Sequence, residues 1–364
     1  MAQRRRRRRR RGRVSPLRRL GRGLYSMLVV FSAIVVGLWL GYKMVSREPD
    51  MAQPPARPNA PVVTDDPSTG DVDESQQGLQ RRDATWTFLL AAEDQVSGST
   101  DTIMVCTYDT VNQRIGLVSL PRDTLVDREG WKFHKLNEVY AAGNLYPEVG
   151  GAPLLMDVVG EILGIPIDHY VMVDTKIFVE VVDAVGGVDF NVPVYMNYDA
   201  PDQDLHIHYQ PGMQHLTGKQ ALEVVRCRKN SDGPGEYPNN IYDAYPDADI
   251  GRTRTQQEMV KTIARKVLSN PQKMNSYIEI FSRCVKTDLE LGNLLWFGPL
   301  ALQFDFGDLE TATLPGDGNK NFEGAQWVYE LDIEASLEII NRCLNPYTTP
   351  VTADMVRMPR GEDR

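Results

Sequence analysis

A chain of 364 residues can hold one large domain or two ordinary ones, and its formal charge of −9 is unevenly placed. Residues 1–44 hold twelve arginines and one lysine with no acid, a charge of +13, which leaves −22 for the remainder. So acidic a body excludes a direct grip on nucleic acid, and four widely spaced cysteines, Cys106, Cys227, Cys284 and Cys343, exclude a cysteine metal motif.

The basic head, residues 1–23, precedes an apolar run from Leu24 to Tyr42 with no formal charge. Nineteen residues at about 1.5 Å each are enough helix to cross a bilayer. One transmembrane helix is therefore expected over 24–43. Arginine before the span and little positive charge after it place the N-terminus in the cytoplasm and the acidic body outside. Residues 44–83, rich in Pro, Asp, Ser and Gln without apolar periodicity, predict a disordered extracellular linker. A folded domain is expected over 84–345, and a flexible tail over 346–364.

Within the domain, Trp86–Ala91, Thr102–Cys106 and Ile115–Leu120 are short apolar runs rich in β-branched residues and predict strands. Residues 131–143 predict a loop entering a helix. Leu154, Leu155, Val158, Val159 and Ile162 recur at helical spacing, so 151–164 predicts a second. Tyr170–Val173 predicts a strand, 176–185 a helix stopped by Gly186 and Gly187, and Val188–Val192 another strand. Residues 197–215 predict a loop or short hairpin, followed by a helix from Leu216. The polar stretch 229–250 predicts a lid-like surface loop, 253–268 a long helix, and 272–301 further helical pieces. A strand over 309–314 and a helix over 329–343 complete the expected elements. Helices alternating with apolar strands give an α/β fold, a central mixed β-sheet covered by helices.

Charged residues cluster where strands give way to loops, the usual place for chemistry in such folds. Asp94 and Asp101 flank the short loop after the first strand, and two carboxylates there can take a hard divalent cation or act as solvated caps. Pro121-Arg122-Asp123 follows the third strand. Arg122 offers a planar fork for phosphate oxygens, and Asp123 either orients that fork or receives a substrate proton. Arg226 and Arg228, two apart, fall on one side if the segment is extended, a placement that favours an anion between them. Arg252 and Gln256 share a face at the mouth of the long helix, whose free N–H groups add to anion affinity. The pair His206 and His208 resembles metal ligands but lacks a nearby third, and His169 reads as a structural polar residue. Cys284 and Cys343 are the candidate disulfide.

In this order behind one N-terminal anchor, the segments STDTIMV, VSLPRDTLV, KLNEVYAAG, GIPIDHYVMVD, VDAVGGVDFNVP, LTGKQALEVVRCR and DIGRTRTQQ resemble the LytR–CpsA–Psr family of bacterial cell-envelope enzymes. The resemblance covers roughly residues 84–270. It implies a bacterial, single-pass membrane protein that moves a glycopolymer from an undecaprenyl-pyrophosphate carrier to the C6 hydroxyl of N-acetylmuramic acid in peptidoglycan. It further implies Mg²⁺ held by Asp94 and Asp101, a hydrophobic groove for the carrier, and a pyrophosphate clamp of Arg122, Arg226, Arg228 and Arg252 with Gln256 beside it. Its partners would be the lipid-linked polymer, peptidoglycan and the membrane. The rival readings are a non-catalytic polyprenyl-phosphate or wall-binding protein and a polyprenyl pyrophosphatase. Three positions depart from the family pattern: Gln95, Ser99 and Thr255, with Arg254 expected to compensate for the last.

Overall fold

The computed structural model describes residues 41–54, 79–93, 98–200, 205–232 and 242–363. Contacts divide the chain into a unit of residues 1–48 and a unit of residues 49–364. In the first, a helical turn covers 41–45. The expected membrane span lies outside the described residues except for its last three, and no described helix is long and apolar enough to cross a membrane.

The second unit is built on a six-stranded mixed sheet. Its first strands are β1 (Thr85–Glu93), β2 (Thr100–Asp109) and β3 (Arg114–Leu120), each pairing antiparallel with the next. Helices α1 (Leu136–Asn144) and α2 (Gly151–Leu163) follow, then β4 (His169–Asp174), which pairs parallel to β1. Helix α2 stops where Gly164 takes φ 66°, a left-handed turn that a side chain would resist. Helix α3 (Thr175–Ala184) leads into β5 (Val188–Val192), β6 (Met196–Ala200), β7 (Leu205–Tyr209) and β8 (Gly212–Leu216). These pair as β5 with β8 and β6 with β7. Of the two expectations for 197–215, loop or short hairpin, the described residues take the hairpin, with β6 antiparallel to β7.

After α4 (Gly218–Arg226), β9 (Lys229–Asn230) pairs with β10 (Tyr242–Asp243), and the long helix α5 runs Asp249–Leu268. The expected lid loop is therefore fastened at its base, and its residues 233–241 lie outside the described residues. Helix α6 (Met274–Cys284), β11 (Lys286–Thr287) and α7 (Leu291–Ala301) precede β12 (Leu309–Thr313), a hairpin of β13 (Gly316–Phe322) and β14 (Ala325–Leu331), α8 (Ile333–Ile339) and β15 (Glu362–Asp363). The sheet order is β11-β4-β1-β2-β3-β12.

Period-two patterning gives the sheet two different faces. Leu89, Ala91, Ile103, Val105, Val118 and Leu120 point into a buried core under α1 and α2. A second core joins β5–β8 to α3, α4 and α5.

Several sequence expectations are corrected. The helix expected over 329–343 begins only at Ile333, where Asp332 caps it by accepting from Ala335 N at 3.1 Å; Tyr329 instead lies in β14. The tail does not fray: Tyr347, Val351, Met355, Val356 and Met358 are buried in the first core. Nor is the linker wholly free. Asp168, buried, accepts from Ala52 N at 2.7 Å and pairs with Arg81, whose Nη1 also donates to Ala52 O at 3.1 Å. Cys343 is a free thiol, not half of a disulfide.

Candidate functional site

Because β1 and β3 both run antiparallel to β2, while β4 and β12 run parallel to β1 and β3, four carboxyl ends share one edge of the sheet with the start of β2. That edge of an α/β sheet is where ligands bind. Asp101 stands at the start of β2, and Arg122 and Asp123 lie just beyond β3. The turn holding them is tied down by Pro121 O, which accepts from Thr124 N at 3.0 Å, and by Arg122 O, which accepts from Asn137 N at the start of α1 at 2.9 Å. Arg122 Nη1 donates to Asp101 Oδ1 at 2.5 Å. Asp123 lies between two cations, 3.6 Å from Arg122 Nε and 3.1 Å from Lys135 Nζ.

The other half comes from the junction of α4 and α5. Arg226 is not extended: it is the last residue of α4 and half-buried, while Arg228 follows Cys227 outside the helix. The placement of both guanidiniums on one side of a strand therefore does not apply. Arg228 Nε lies 3.4 Å and Arg252 Nη2 2.9 Å from the same oxygen, Asp249 Oδ1. Asp249 opens α5, where a carboxylate also complements the helix dipole. The residue before it, Ala248, has φ 51°, and such strain is commonly stored beside functional sites. Gly251 is required here, since a Cβ would lie 2.5 Å from Tyr245 Cβ and 2.6 Å from its ring carbons.

The electrostatics join the two halves. Burial works against the charge of Arg122, yet Asp101, Asp123 and Asp249 outweigh it and raise its pKa. Arg252 goes the other way: burial lowers its pKa, and repulsion from Arg122 and Arg228 adds to that against Asp249 and Asp101. The side-chain Nε atoms of Arg122, Arg228 and Arg252 are all buried without a hydrogen-bond partner. Asp249 Oδ1 is likewise buried without one; buried polar atoms are normally satisfied, so donors and an acceptor left unmet in one cluster mark a polar site whose hydrogen bonds are incomplete.

Of the residues expected from sequence, Asp101, Arg122, Asp123, Arg228 and Arg252 are thus gathered. Asp94 lies outside the described residues. Gln256 donates to Val225 O at 3.3 Å, tying α5 to α4. Thr255 is buried and donates to Gly251 O at 3.0 Å, whereas Arg254 is exposed and paired with Asp247, pointing away from the Thr255 position for which it was expected to compensate. Two residues carried no role in the sequence reading. Asp249 was detectable from its i, i+3 spacing to Arg252 at a helix start. Gln257 donates to Ser119 Oγ at 2.8 Å and Ala312 O at 2.6 Å, seating α5 on the sheet; nothing in the sequence distinguishes it from Gln256. His206 and His208 pair with Asp199 at 2.7 and 3.3 Å, and His169 with Asp288 at 3.0 Å.

Beneath α5 and α7 the second face of the sheet presents Phe88, Leu90, Ala92, Val171 and Val173, all half-buried and part of neither core. Phe297 of α7 stacks on Phe88 at 5.4 Å. Cys106 faces the same layer, and desolvation pushes its thiol up to about 12 although it keeps accessible surface. A separate cavity of about 340 Å³ opens at the opposite sheet edge, among Asp109, Arg114, Glu310 and Arg342. There Glu310 already offsets both arginines, and Asp109 is committed to its own turn. The Nε donors of Arg122, Arg228 and Arg252 that make no hydrogen bond lie at the Arg122 edge instead.

Among the described residues no group of three or more His, Cys, Asp or Glu side chains is arranged to hold a metal. Asp101 at the edge of a phosphate-seeking cluster nevertheless suits Mg²⁺, which uses one or two carboxylates and takes its remaining oxygens from phosphate and water.

Residues 60–343 match the model of the LytR_cpsA_psr family. The Bacillus anthracis protein named polyisoprenyl-teichoic acid–peptidoglycan teichoic acid transferase TagU is 30% identical over 264 residues, covering 70% of this chain and 76% of its own length. The crystal structure of B. subtilis TagV has a TM-score of 0.57 at 24% identity, covering 71% of this chain and 95% of its own. The structure of TagT bound to LI-WTA has a TM-score of 0.55 at 20% identity, covering 75% and 98%. Both solved structures share the fold.

Proposed function

From the premise that the chain belongs to the LytR–CpsA–Psr family, we propose that it transfers a glycopolymer from an undecaprenyl-pyrophosphate carrier to peptidoglycan, on the outer side of a bacterial membrane. The observation that supports this reading is the gathering of Arg122, Arg228 and Arg252, each with a buried Nε that makes no hydrogen bond, in a body whose net charge is strongly negative. A pyrophosphate supplies the acceptor oxygens that these donors lack.

In the reaction the acceptor hydroxyl, the N-acetylmuramic acid C6 hydroxyl, attacks the phosphorus that bears the sugar. The bond from that phosphorus to the bridging oxygen breaks, and polyprenyl phosphate leaves with the hydroxyl's proton taken up by its released oxygen. Arg122, Arg228 and Arg252, with Arg226 at the end of α4, stabilise the charge that builds on the phosphoryl oxygens more in the transition state than before it. Asp123, held between Arg122 and Lys135, acts as the orienting group of the two roles open to it. A loose phosphoryl-transfer transition state needs little early proton abstraction, so positioning dominates. Gln256 supports the clamp through the backbone of α4. Asp94 and Asp101 would hold Mg²⁺, which when bound neutralises charge on the phosphates as a Lewis acid. The half-buried apolar layer below α5 and α7 would receive the carrier's tail, and the N-terminal anchor would keep the site beside the bilayer from which that tail enters.

The test is mass spectrometry of products from a defined lipid-linked donor and peptidoglycan fragments, with and without Mg²⁺. Wild-type protein should form a new sugar–phosphate bond. Arg122→Ala and Arg252→Lys should lose at least 100-fold in rate, while Arg254→Ala stays within about 2-fold, as expected for an exposed ion pair. Phosphate release without the linked product would assign a pyrophosphatase, and carrier binding without turnover a binding protein.

A further inference from the structure

The sheet edge opposite the clamp, where β1 and β3 begin and β2 ends, holds the cavity of about 340 Å³. Three guanidiniums line it, Arg82, Arg114 and Arg342, against two carboxylates, Asp109 and Glu310. Both carboxylates are already in use. Asp109 accepts from Val111 N at 3.0 Å and Asn112 N at 2.8 Å, and Glu310 is divided between Arg114 Nη2 at 2.9 Å and Arg342 Nε at 3.5 Å. Glu338, the other acid near Arg342, is not part of the lining. Arg82 has no ion pair or side-chain hydrogen bond among the described residues. Each guanidinium offers several donors in a rigid fork, so the cavity holds more N–H groups than its own acceptors use. One exposed arginine is ordinary. Three converging on a hollow, in a body of strongly negative charge, call for an anion.

The tether identifies the anion. Thr87 near the start of β1 and Asp168 just before β4 lie on this same edge. The Asp168 carboxylate is buried and accepts from Ala52 N, Arg81 Nη1 and Thr87 N, each at 2.7 Å, and Arg81 is the neighbour of Arg82. Leaving a buried carboxylate short of a donor is costly, so the chain is fastened here at Ala52. Ala52 follows Tyr42, the last residue of the expected apolar span, by ten positions, a reach of at most roughly 36 Å. The tether therefore holds the cavity's edge within that distance of the bilayer. On the same edge Val111, in the β2–β3 turn beside Asn112 of the lining, is 71% exposed. An apolar tip beside a cationic hollow suits the headgroup region of a bilayer, where phosphates meet the first acyl groups. β1 runs from this edge to the clamp, so a tail lying along Ala92, Leu90 and Phe88 leads from the clamp toward the bilayer.

We propose that this cavity takes the phosphate of an anionic phospholipid headgroup in the outer leaflet, bound by Arg82, Arg114 and Arg342, and so seats the domain on the bilayer with the clamp edge turned away from it. This rests on the membrane placement in the proposed function and not on the transfer chemistry. Arg82 supplies the unshared guanidinium, Arg114 and Arg342 supply the N–H groups that Glu310 leaves over, and Val111 enters the headgroup layer. Each arginine at an anionic surface contributes about 5-fold in affinity.

Full-length protein in nanodiscs provides the test, with phosphatidylglycerol carrying a photoactivatable headgroup as the probe and mass spectrometry to map its adducts. Adducts should fall on residues 109–116 and 341–345, and a phosphatidylcholine probe should give few. Arg82→Ala combined with Arg342→Ala should lower the yield by about 5-fold or more. The double variant should melt within about 2 °C of wild type, since both side chains are exposed. Glu310→Gln, which frees two guanidiniums, should raise the yield. Arg122→Ala, a strand's length away at the other edge, should leave it within about 2-fold. No adducts at this edge, or equal yields from both lipids, would overturn the proposal. So would stabilisation by inorganic phosphate that the double variant abolishes, with no lipid adduct, since the site would then take a free anion. Adducts here on a protein that transfers nothing would instead remove the transferase reading and leave the lipid site standing.

Discussion

Replacing Asp249 with asparagine removes the one carboxylate shared by Arg228 and Arg252 and leaves the shape almost unchanged. Arg252 has a side chain only 8% exposed, with Asp249 Oδ1 and Oδ2 at 2.9 and 3.0 Å. Breaking a fully buried ion pair costs about 3–5 kcal/mol. Asp249 is 30% exposed and the amide keeps one acceptor, so about 1–3 kcal/mol is expected, discounting for solvent screening. At roughly 2–4 °C per kcal/mol for a domain of this size, Tm should fall by about 2–12 °C. The same change makes the site hungrier for anions. Added pyrophosphate should therefore stabilise D249N more than wild type, and at about 100 times its Kd should return about 2.7 kcal/mol. Differential scanning fluorimetry over a pyrophosphate series reads both effects. Unchanged stability in D249N, together with equal pyrophosphate shifts in both proteins, would refute the claim that Asp249 offsets guanidiniums able to take an anion in its place.

Deleting residues 346–364 should abolish cooperative folding. Five buried apolar side chains leave with them, each contributing about 1.5–3 kcal/mol, which equals the whole net stability of an ordinary domain, about 5–15 kcal/mol; a sharp thermal transition in the truncated protein would contradict this. Alkaline pH should destabilise the fold. Burial pushes the Cys106 and Cys227 thiols up to about 12 from 9.0, so the folded state keeps protons that the unfolded state releases. Stability is full below pH 9 and falls as pH rises toward 12, by up to about 1.4 kcal/mol per pH unit for a fully buried thiol such as Cys227 and less for half-buried Cys106. Urea denaturation at pH 8, 9 and 10 checks the slope, and a flat profile would contradict it.

Local periodicity was enough to find most of the sheet. Alternation in 85–93 and 114–120 and the helical stripe of 151–163 exist in the chain itself, because each element must bury one face whatever its neighbours are. Strand β13, GDGNKNF, has no such face and is ordered by pairing with β14, so nothing local announced it. The tail was misread for a related reason. Tyr347, Val351, Met355, Val356 and Met358 follow no helical or strand period, and only the space left over the first core gives them a place. Gly116 shows how tight that space is, since a Cβ there would lie 1.8 Å from Cys343 O.

The candidate site divides in the same way. An arginine after a strand-closing proline and a second at the mouth of a long helix are groups able to meet an anion before any fold is known, because charge and donor geometry belong to the residue. Which of them are buried depends on segments more than a hundred positions apart in the chain, as where Gln257 of α5 meets Ser119 of β3. Arg254 and Arg252 look equivalent in DIGRTRTQQ, yet one meets solvent and Asp247 while the other is sealed against Asp249. The chain alone determined the kinds of group that could meet an anion and the strands that would carry them. The packing of α5 on the sheet decided which guanidiniums lose their water and which carboxylates they meet, since desolvation is a property of surroundings that no single stretch of sequence contains.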